Sequence, residues 1–479
     1  MNWKQLLSNK RLGMEGQPTR DDDRTEFQRD YDRLIFSAPF RRLQNKTQVF
    51  PLPHSIFVHN RLTHSLEVSS VGRSLGNDSA RLLLERHPEL TDTHLTEMGS
   101  IVSAACLAHD LGNPPFGHSG ETAIATYFSE GNGRYLRAYE DAATGERLSP
   151  AEWADLTHYE GNANAFRLLT HQFRGRRPGG FVMTYSTLAS IVKYPYSSTL
   201  AGDKQKFGFF EAEKGTYLRI ARELGVPLTS PKWGTTLRDE GVATHSGTAI
   251  AGEACDTPPQ GAIGGQRYPL VYLVEAADDI CYEIMDIEDA HKLKILSTAE
   301  TIELLLAYFT PDKRDQMLQV MHNSRVDDVN EQVVFLRSSV INLLENQCVR
   351  VFVDSEESIL NGTFEGSLLQ HIDPLPRSAY EECERVSHRS IYHSKDVVDI
   401  ELAGFRVLTS LVDTFIEAVM HPDRAYSQLL LRRVSSQYQI HAPRLYDRIM
   451  SVLDYISGMT DVYALDLYRN INGMGITSI

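Results

Sequence analysis

Apolar positions recur at three- and four-residue intervals along most of the chain, with polar residues on the opposite side, as amphipathic helices require. This pattern predicts helices over residues 63–84 ("THSLEVSSVGRSLGNDSARLLL"), 101–108, 268–296, 300–309, 332–352 and 402–419. Strict alternation appears only in short pieces such as "KTQVFPL" at 46–52, which predicts at most a small β-hairpin near the N-terminus. The expected class is therefore all-α. Two stretches break the helical pattern: 131–150 is polar and contains Gly, and 227–265 is rich in Gly, Thr, Ala and Pro. Both are expected on the surface, the second as an insertion, a lid or a mobile loop. No internal repeat is visible.

Composition narrows the class without deciding function. The chain has 479 residues, 42% hydrophobic and 23% charged, which suits a soluble globular protein with a large core. A net charge of −15 repels polyanions, so non-specific nucleic-acid binding is not the default. An anionic substrate then needs a local cluster of Arg, Lys and metal, acting within roughly 8 Å at physiological salt. "FRGRRPGG" at 173–180 and "LLLRRVSS" at 429–436 concentrate Arg. Each is expected as a solvated face, with single-stranded DNA, an effector nucleotide or a neighbouring subunit as alternatives. Five scattered cysteines without Cys-x-x-Cys spacing are expected as reduced core thiols. With no apolar signal segment and no run near the ~20 apolar residues of a membrane span, the expectation is a cytoplasmic protein without membrane contact.

Candidate chemistry concentrates in "ACLAHDLGNPPFGHSGETA" at 105–123. His109 and Asp110 close a predicted helix just before a Gly-Asn-Pro-Pro turn. Neighbouring helical residues point about 100° apart, so both reach one ion only from a helix end or a cleft. His64 stands at another predicted helix start. In "EAADDICYEIMDIEDA", Asp278, Tyr282 and Asp286 share one helix face, while Asp279 points elsewhere. Two imidazoles and two carboxylates suit Mn, Mg, Fe or Co with exchangeable positions better than the thiolate sites of structural zinc. Each motif alone is more often a surface or core feature than a ligand, but their joint occurrence in this order favours a metal centre.

The same residues resemble the HD superfamily of metal-dependent phosphohydrolases and, more narrowly, bacterial deoxyguanosine triphosphate triphosphohydrolases. The resemblance runs nearly end to end, through "PFRRLQNKTQVFPL", "NRLTHSLEV", "HDLGNPPFGHSGE", "HYEGNANAFRLL", "EAADDICYEIMDIEDA" and "LDYISGMTDVYALDLYR". It implies an HD helical core in one large helical body. An N-terminal segment at 1–60 would contribute to the site. The catalytic domain would span 61–290, with a loop-rich insertion at about 196–267, and a C-terminal helical region would span 291–479. By position, His64, His109, Asp110 and Asp278 match the metal ligands, and His118 with Glu121 the catalytic pair. Tyr282 and Asp286 match positions near the triphosphate and sugar 3′-hydroxyl, and Gln48 a sugar-reading glutamine. Arg61, Lys193 and His158 match phosphate contacts, and Arg406 lies on a helix that approaches substrate. Asn113, where many HD proteins carry His, implies one divalent ion per subunit.

The implied reaction is hydrolysis of dGTP to deoxyguanosine and inorganic triphosphate by water attack at the α-phosphorus. His118, oriented and kept charged by Glu121, would either activate the water or protonate the leaving 5′-oxygen. Pro114 and Pro115 would stiffen the turn that carries it. Arg61, Lys193 and Tyr282 would hold the β- and γ-phosphates. The alternatives are a broader deoxynucleoside triphosphate (dNTP) triphosphohydrolase, nucleotide-activated or not, and a non-catalytic HD protein that binds nucleotide or single-stranded DNA. A homo-oligomer, of which a hexamer is one form, is also implied.

Overall fold

The computed structural model describes residues 1–16, 23–50, 58–141, 144–202, 205–229, 262–323 and 328–475. Each predicted helix is present: Arg61–Arg86, Met98–Ala108, Val271–Lys292, Thr298–Leu306, Val329–Asp354 and Lys395–Met420. Their starts follow local capping chemistry. The Asn60 side chain accepts from Leu62 N at 3.1 Å and Thr63 N at 3.0 Å, while Thr63 returns a hydrogen bond to the Asn60 backbone. Ser297 and Glu300 cap each other at the head of the Thr298–Leu306 helix. The last predicted helix begins earlier than its apolar stripe, at Lys395, where Asp396 in the first turn complements the helix dipole.

Two apolar cores organise these elements. The first is built by the Arg61–Arg86, Met98–Ala108, Val271–Lys292 and Val329–Asp354 helices. The second joins Gly117–Ser129 to Lys395–Met420 and Leu445–Ser457. The turn from 109 to 116 leaves a helix of the first core and enters a helix of the second, so the HD motif sits at their junction. Close approach inside the first core depends on glycine. A Cβ on Gly76 would stand 2.7 Å from Gly99 Cα, so the Arg61–Arg86 and Met98–Ala108 helices cross with no side chain between them.

The helical class holds, and the strand content is smaller and elsewhere than the alternation at 46–52 suggests. Thr47 makes an isolated antiparallel bridge to Asn60, and 51–57 lie outside the described residues. Among the described residues the two-stranded ladder is Leu228–Thr229 against Gly264–Gly265. It pairs the two flanks of the predicted excursion at 227–265, of which 230–261 lie outside the described residues. The region expected as a loop-rich insertion also contains the Lys214–Glu223 helix, whose Tyr217 ring stacks on Phe209 at 4.2 Å between centroids. Cys106, Cys281, Cys348 and Cys383 are free and buried, as reduced core thiols should be, and Cys255 lies outside the described residues. Among the described residues no helix is long and apolar enough to cross a membrane.

Candidate metal centre and active site

His64 occupies the first turn of the Arg61–Arg86 helix, His109 follows the last residue of Met98–Ala108, and Asp278 lies on Val271–Lys292. Three elements of the first core thus deliver three side chains to one point. One ligand atom from each falls within 4.8 Å of the others. His64 Nε2 is 3.0 Å and His109 Nε2 3.3 Å from Asp278 Oδ1. His109 Nδ1 donates to the Cys106 carbonyl at 2.6 Å, which turns Nε2 toward Asp278, where it can present a lone pair once a cation displaces its proton. That Nε2 is buried and has no hydrogen-bond partner among the described residues. An orphaned imidazole nitrogen facing a carboxylate and a second imidazole is the donor set a divalent cation needs, so the residues fit a metal.

The electrostatics agree. Burial would raise the Asp278 carboxyl, but His109 and His64 hold it well below the ordinary carboxylate range. Burial would lower the His109 imidazole, but Asp110 and Asp278 push it up to about 9. The field that keeps a proton on His109 would be satisfied by a divalent cation, which would displace that proton.

Asp110 stands beside this trio rather than inside it. Its Oδ2 is 3.7 Å from His109 Nε2 and accepts from Arg61 Nη1 at 2.7 Å, and its Oδ1 accepts from Asn113 Nδ2 at 2.5 Å. The predicted fourth ligand is therefore adjacent, with both oxygens held by neighbours.

The second predicted group is a pair. His118 and Glu121 lie one turn apart on the Gly117–Ser129 helix, with His118 Nδ1 2.9 Å from Glu121 Oε2. Glu121 raises the His118 pKa. The imidazole is 80% exposed, so Nε2 remains for proton exchange with a ligand or water. Glu121 Oε1 accepts from Gly161 N at 2.9 Å, and Lys206 lies 3.8 Å from Oε2. Burial opposes ionisation of Glu121, yet Lys206 and His118 bring its pKa down to about 2. The helix starts from two left-handed residues, Phe116 at φ 62° and Gly117 at φ 56°. The space beside Gly117 is filled by Arg61, whose Nη2 would be 2.5 Å from an added Cβ. Only glycine leaves room for that guanidinium between the two groups.

The remaining predicted residues divide. Tyr282 packs edge-on to His64 with centroids 6.4 Å apart. Asp286 Oδ2 accepts from Tyr392 Oη at 2.9 Å, and burial and Glu283 push its carboxyl well above the ordinary range. Gln48 has a buried Oε1 without a partner among the described residues. Lys193 lies 3.4 Å from Glu275, one turn before Asp278 on the same helix. His158 ends the Pro150–Thr157 helix, and burial lowers its pKa. Arg406 projects from Lys395–Met420 as an exposed side chain, and the structure does not bring it to the trio.

The chain carries two recognised family signatures, an HD domain over residues 61–159 and a phosphohydrolase-associated domain over 373–470. It is 38% identical, over 99% of its length and 100% of the relative's, to a deoxyguanosinetriphosphate triphosphohydrolase-like protein of Synechocystis sp.. A protein of the same description from Pseudomonas aeruginosa is 35% identical over 99% of both chains. The deoxyguanosinetriphosphate triphosphohydrolase of Serratia proteamaculans is 30% identical over 93% of both. The chain belongs to the dGTPase family of the HD superfamily. The HD signature covers His64, His109, Asp110, His118 and Glu121, whereas Asp278 reaches the trio from outside it.

Several residues that shape this dGTPase-family site carry no local signal in the sequence. Lys206, paired with Glu160 at 2.7 Å, sits in the region expected as a loop-rich insertion, where no motif marks it. Tyr392 follows a π-helical turn at Ser387–Ile391, an irregularity that redirects the side chains after it and that no apolar period announces. Asp461 accepts from Thr47 N at 2.8 Å and Phe116 N at 2.9 Å, joining the segment that bears Gln48 to the turn that bears His118. Its clue was its place in "LDYISGMTDVYALDLYR", a phrase with no chemistry of its own.

Proposed function

We propose that the protein hydrolyses dGTP to deoxyguanosine and inorganic triphosphate at the centre formed by His64, His109, Asp110 and Asp278. The observation that carries this is the unpartnered His109 Nε2 facing Asp278 and His64, with the His118–Glu121 pair across Arg61. The relatives' names support the substrate. One divalent ion, Mn, Mg, Co or Fe, held by His64, His109 and Asp278, with Asp110 joining once Arg61 or Asn113 releases an oxygen, would supply charge neutralisation and polarisation of the α-phosphoryl group.

The chain's own residues do the rest. Arg61 and Lys193 supply fixed positive charge for the phosphates, with Tyr282 and His158 as neutral donors. Gln48 Oε1 and the Asp286–Tyr392 pair offer the sugar acceptor and donor atoms, and Arg406 needs a shift of its exposed side chain to contribute. His118, its Nδ1 held by Glu121, transfers a proton through Nε2, as base to water or as acid to the 5′-oxygen.

Incubation of metal-loaded protein with each dNTP and separation of products tests the proposal. Deoxyguanosine plus triphosphate from dGTP alone supports it. Comparable rates on all four nucleotides replace it with the broader triphosphohydrolase, and monophosphate plus pyrophosphate overturns the bond assignment.

A further inference from the structure

Behind the catalytic turn lies a cavity of about 240 Å³ that the proposed reaction does not use. Its wall includes Leu111 and Asn164 from the back of the HD motif, and Arg42, Lys46, Arg176 and Tyr438 around them. The polar lining is unusually basic for a protein of net charge −15. Lys46 is 2% exposed, and its ammonium donates to the carbonyls of Asn113 at 2.5 Å and Ser457 at 2.8 Å, with no carboxylate in hydrogen-bond contact among the described residues. Arg42 is half-buried and faces Tyr438 and Arg176, with no acidic partner among the described residues. Arg176 lies over the Phe181 ring at 5.0 Å and likewise has no carboxylate partner among the described residues. Among the described residues the one acid in the wall, Asp454, is committed elsewhere: both its oxygens take Arg167 at 2.8 Å.

Three basic side chains converging on one cavity, with the Asp454 carboxylate neutralised, repel one another in their charged forms unless an anion joins them. Burial and Arg42 already push the Lys46 ammonium down to about 7. We propose that this cavity is a second anion site, taking the phosphate groups of a small phosphorylated molecule between Arg42 and Arg176 above Lys46. Planar guanidinium forks suit phosphate oxygens, and a buried ammonium suits a point charge beneath them. The site touches the metal centre through one short chain of hydrogen bonds. Lys46 holds the Asn113 carbonyl, Asn113 Nδ2 holds Asp110 Oδ1, and Asn164 Nδ2 donates to Gly112 O at 2.6 Å. An anion here therefore acts on the back of the turn that carries His109 and Asp110. The proposal stands whether or not dGTP is the substrate.

Calorimetric titration of the full-length, metal-loaded protein with inorganic triphosphate tests it. The native chain should bind one more triphosphate than the Arg42→Gln, Arg176→Gln double variant, while the variant's initial turnover stays native. Each lost charge-assisted contact should weaken the second site about tenfold or more. The Arg42→Lys, Arg176→Lys variant keeps the charge and should retain weakened binding. If the double variant melts early, the single Arg176→Gln variant, altered at a partly exposed side chain, gives the same reading. Competition by inorganic phosphate and by a deoxynucleoside monophosphate then separates a free polyphosphate from a nucleotide's phosphate tail. Equal stoichiometry and affinity in native and glutamine variants overturns the proposal, as does a native chain with a single site.

Discussion

Gly161→Ala places a methyl group between the two halves of the candidate site without replacing a titratable residue. An alanine Cβ at 161 would stand 2.0 Å from Asn113 Oδ1 and 2.4 Å from Glu121 Oε1. Ordinary contact is about 3.5 Å, so both groups must withdraw by roughly 1 Å or more. Neither is free to do so. Asn113 is tied to Asp110 and Lys46, and Glu121 to His118 and to the Gly161 amide itself. A displacement near 1 Å in a catalytic arrangement costs on the order of 10²-fold in rate, about 2.7 kcal/mol of barrier. Overpacking costs about 1–3 kcal/mol of stability, offset in part by up to ~1 kcal/mol from replacing a helical glycine. Turnover should therefore fall about 100-fold while the melting temperature moves by only a few degrees. The control is Gly215→Ala, where an added Cβ meets nothing within 4 Å and activity should be native. Steady-state turnover with saturating metal, beside thermal melting and metal content, makes the measurement. Native turnover in folded, metal-loaded Gly161→Ala would refute the coupling of Glu121 and Asn113 to the chemistry.

His118→Ala should retain metal and lose about 10²–10⁴-fold in kcat, whereas Asp278→Ala should lose both metal and activity; elemental analysis beside turnover separates them. In Glu121→Gln the imidazolium loses the carboxylate that raises its pKa, so the limb of the pH–kcat profile set by His118 should move to lower pH. An unmoved limb removes His118 from that titration. His59 lies 2.9 Å from Asp289 and 3.2 Å from Glu67, contacts that push it up to about 10 against the desolvation that would lower it. Its contribution to stability is thus complete below about pH 6.5 and lost as pH rises through 10. His59→Gln should be less stable than native by roughly 3 kcal/mol at pH 6, with the gap narrowing toward pH 10 in denaturant titrations. Asp461→Asn keeps one acceptor for two backbone donors, so kcat should fall and KM rise together at unchanged metal content. A change in only one of the two would detach Asp461 from the joint placement of Gln48 and the turn.

Helical periodicity located the elements because it reports on which side of a helix faces a core, and that information is local. Three of four expected ligands converge for the same reason: a helix start, a helix end and a helix face are positions that spacing can read. The place of Asp110 was not readable in this way. Its two oxygens are claimed by Arg61 and by Asn113, and which neighbour wins depends on the depth of the turn rather than on its residue types. Asp461 meets Phe116 across 345 residues, and no periodic pattern spans such a separation. Gly161 belongs to the "HYEGNANAFRLL" motif, but its role appears only when Asn113 and Glu121 close on it from two other segments.

These long-range contacts explain why the C-terminal helices belong to the site although they supply no expected metal ligand. The trio is anchored in the first core and the His118–Glu121 pair on a helix of the second, so their relative position depends on how the two cores meet. The 109–116 turn alone is one covalent link, and its backbone donors and acceptors need partners. Asp461, at the head of the Asp461–Ile471 helix, takes the amides of Phe116 and Thr47 together. Lys46 takes the carbonyls of Asn113 and Ser457. The segment that carries Gln48, the turn and the C-terminal helices are thereby pinned to one another through buried charge-assisted hydrogen bonds, the strongest class available to hold a geometry. A hydrolytic centre split between two cores requires such cross-links, because apolar packing fixes each core internally but tolerates sliding between them.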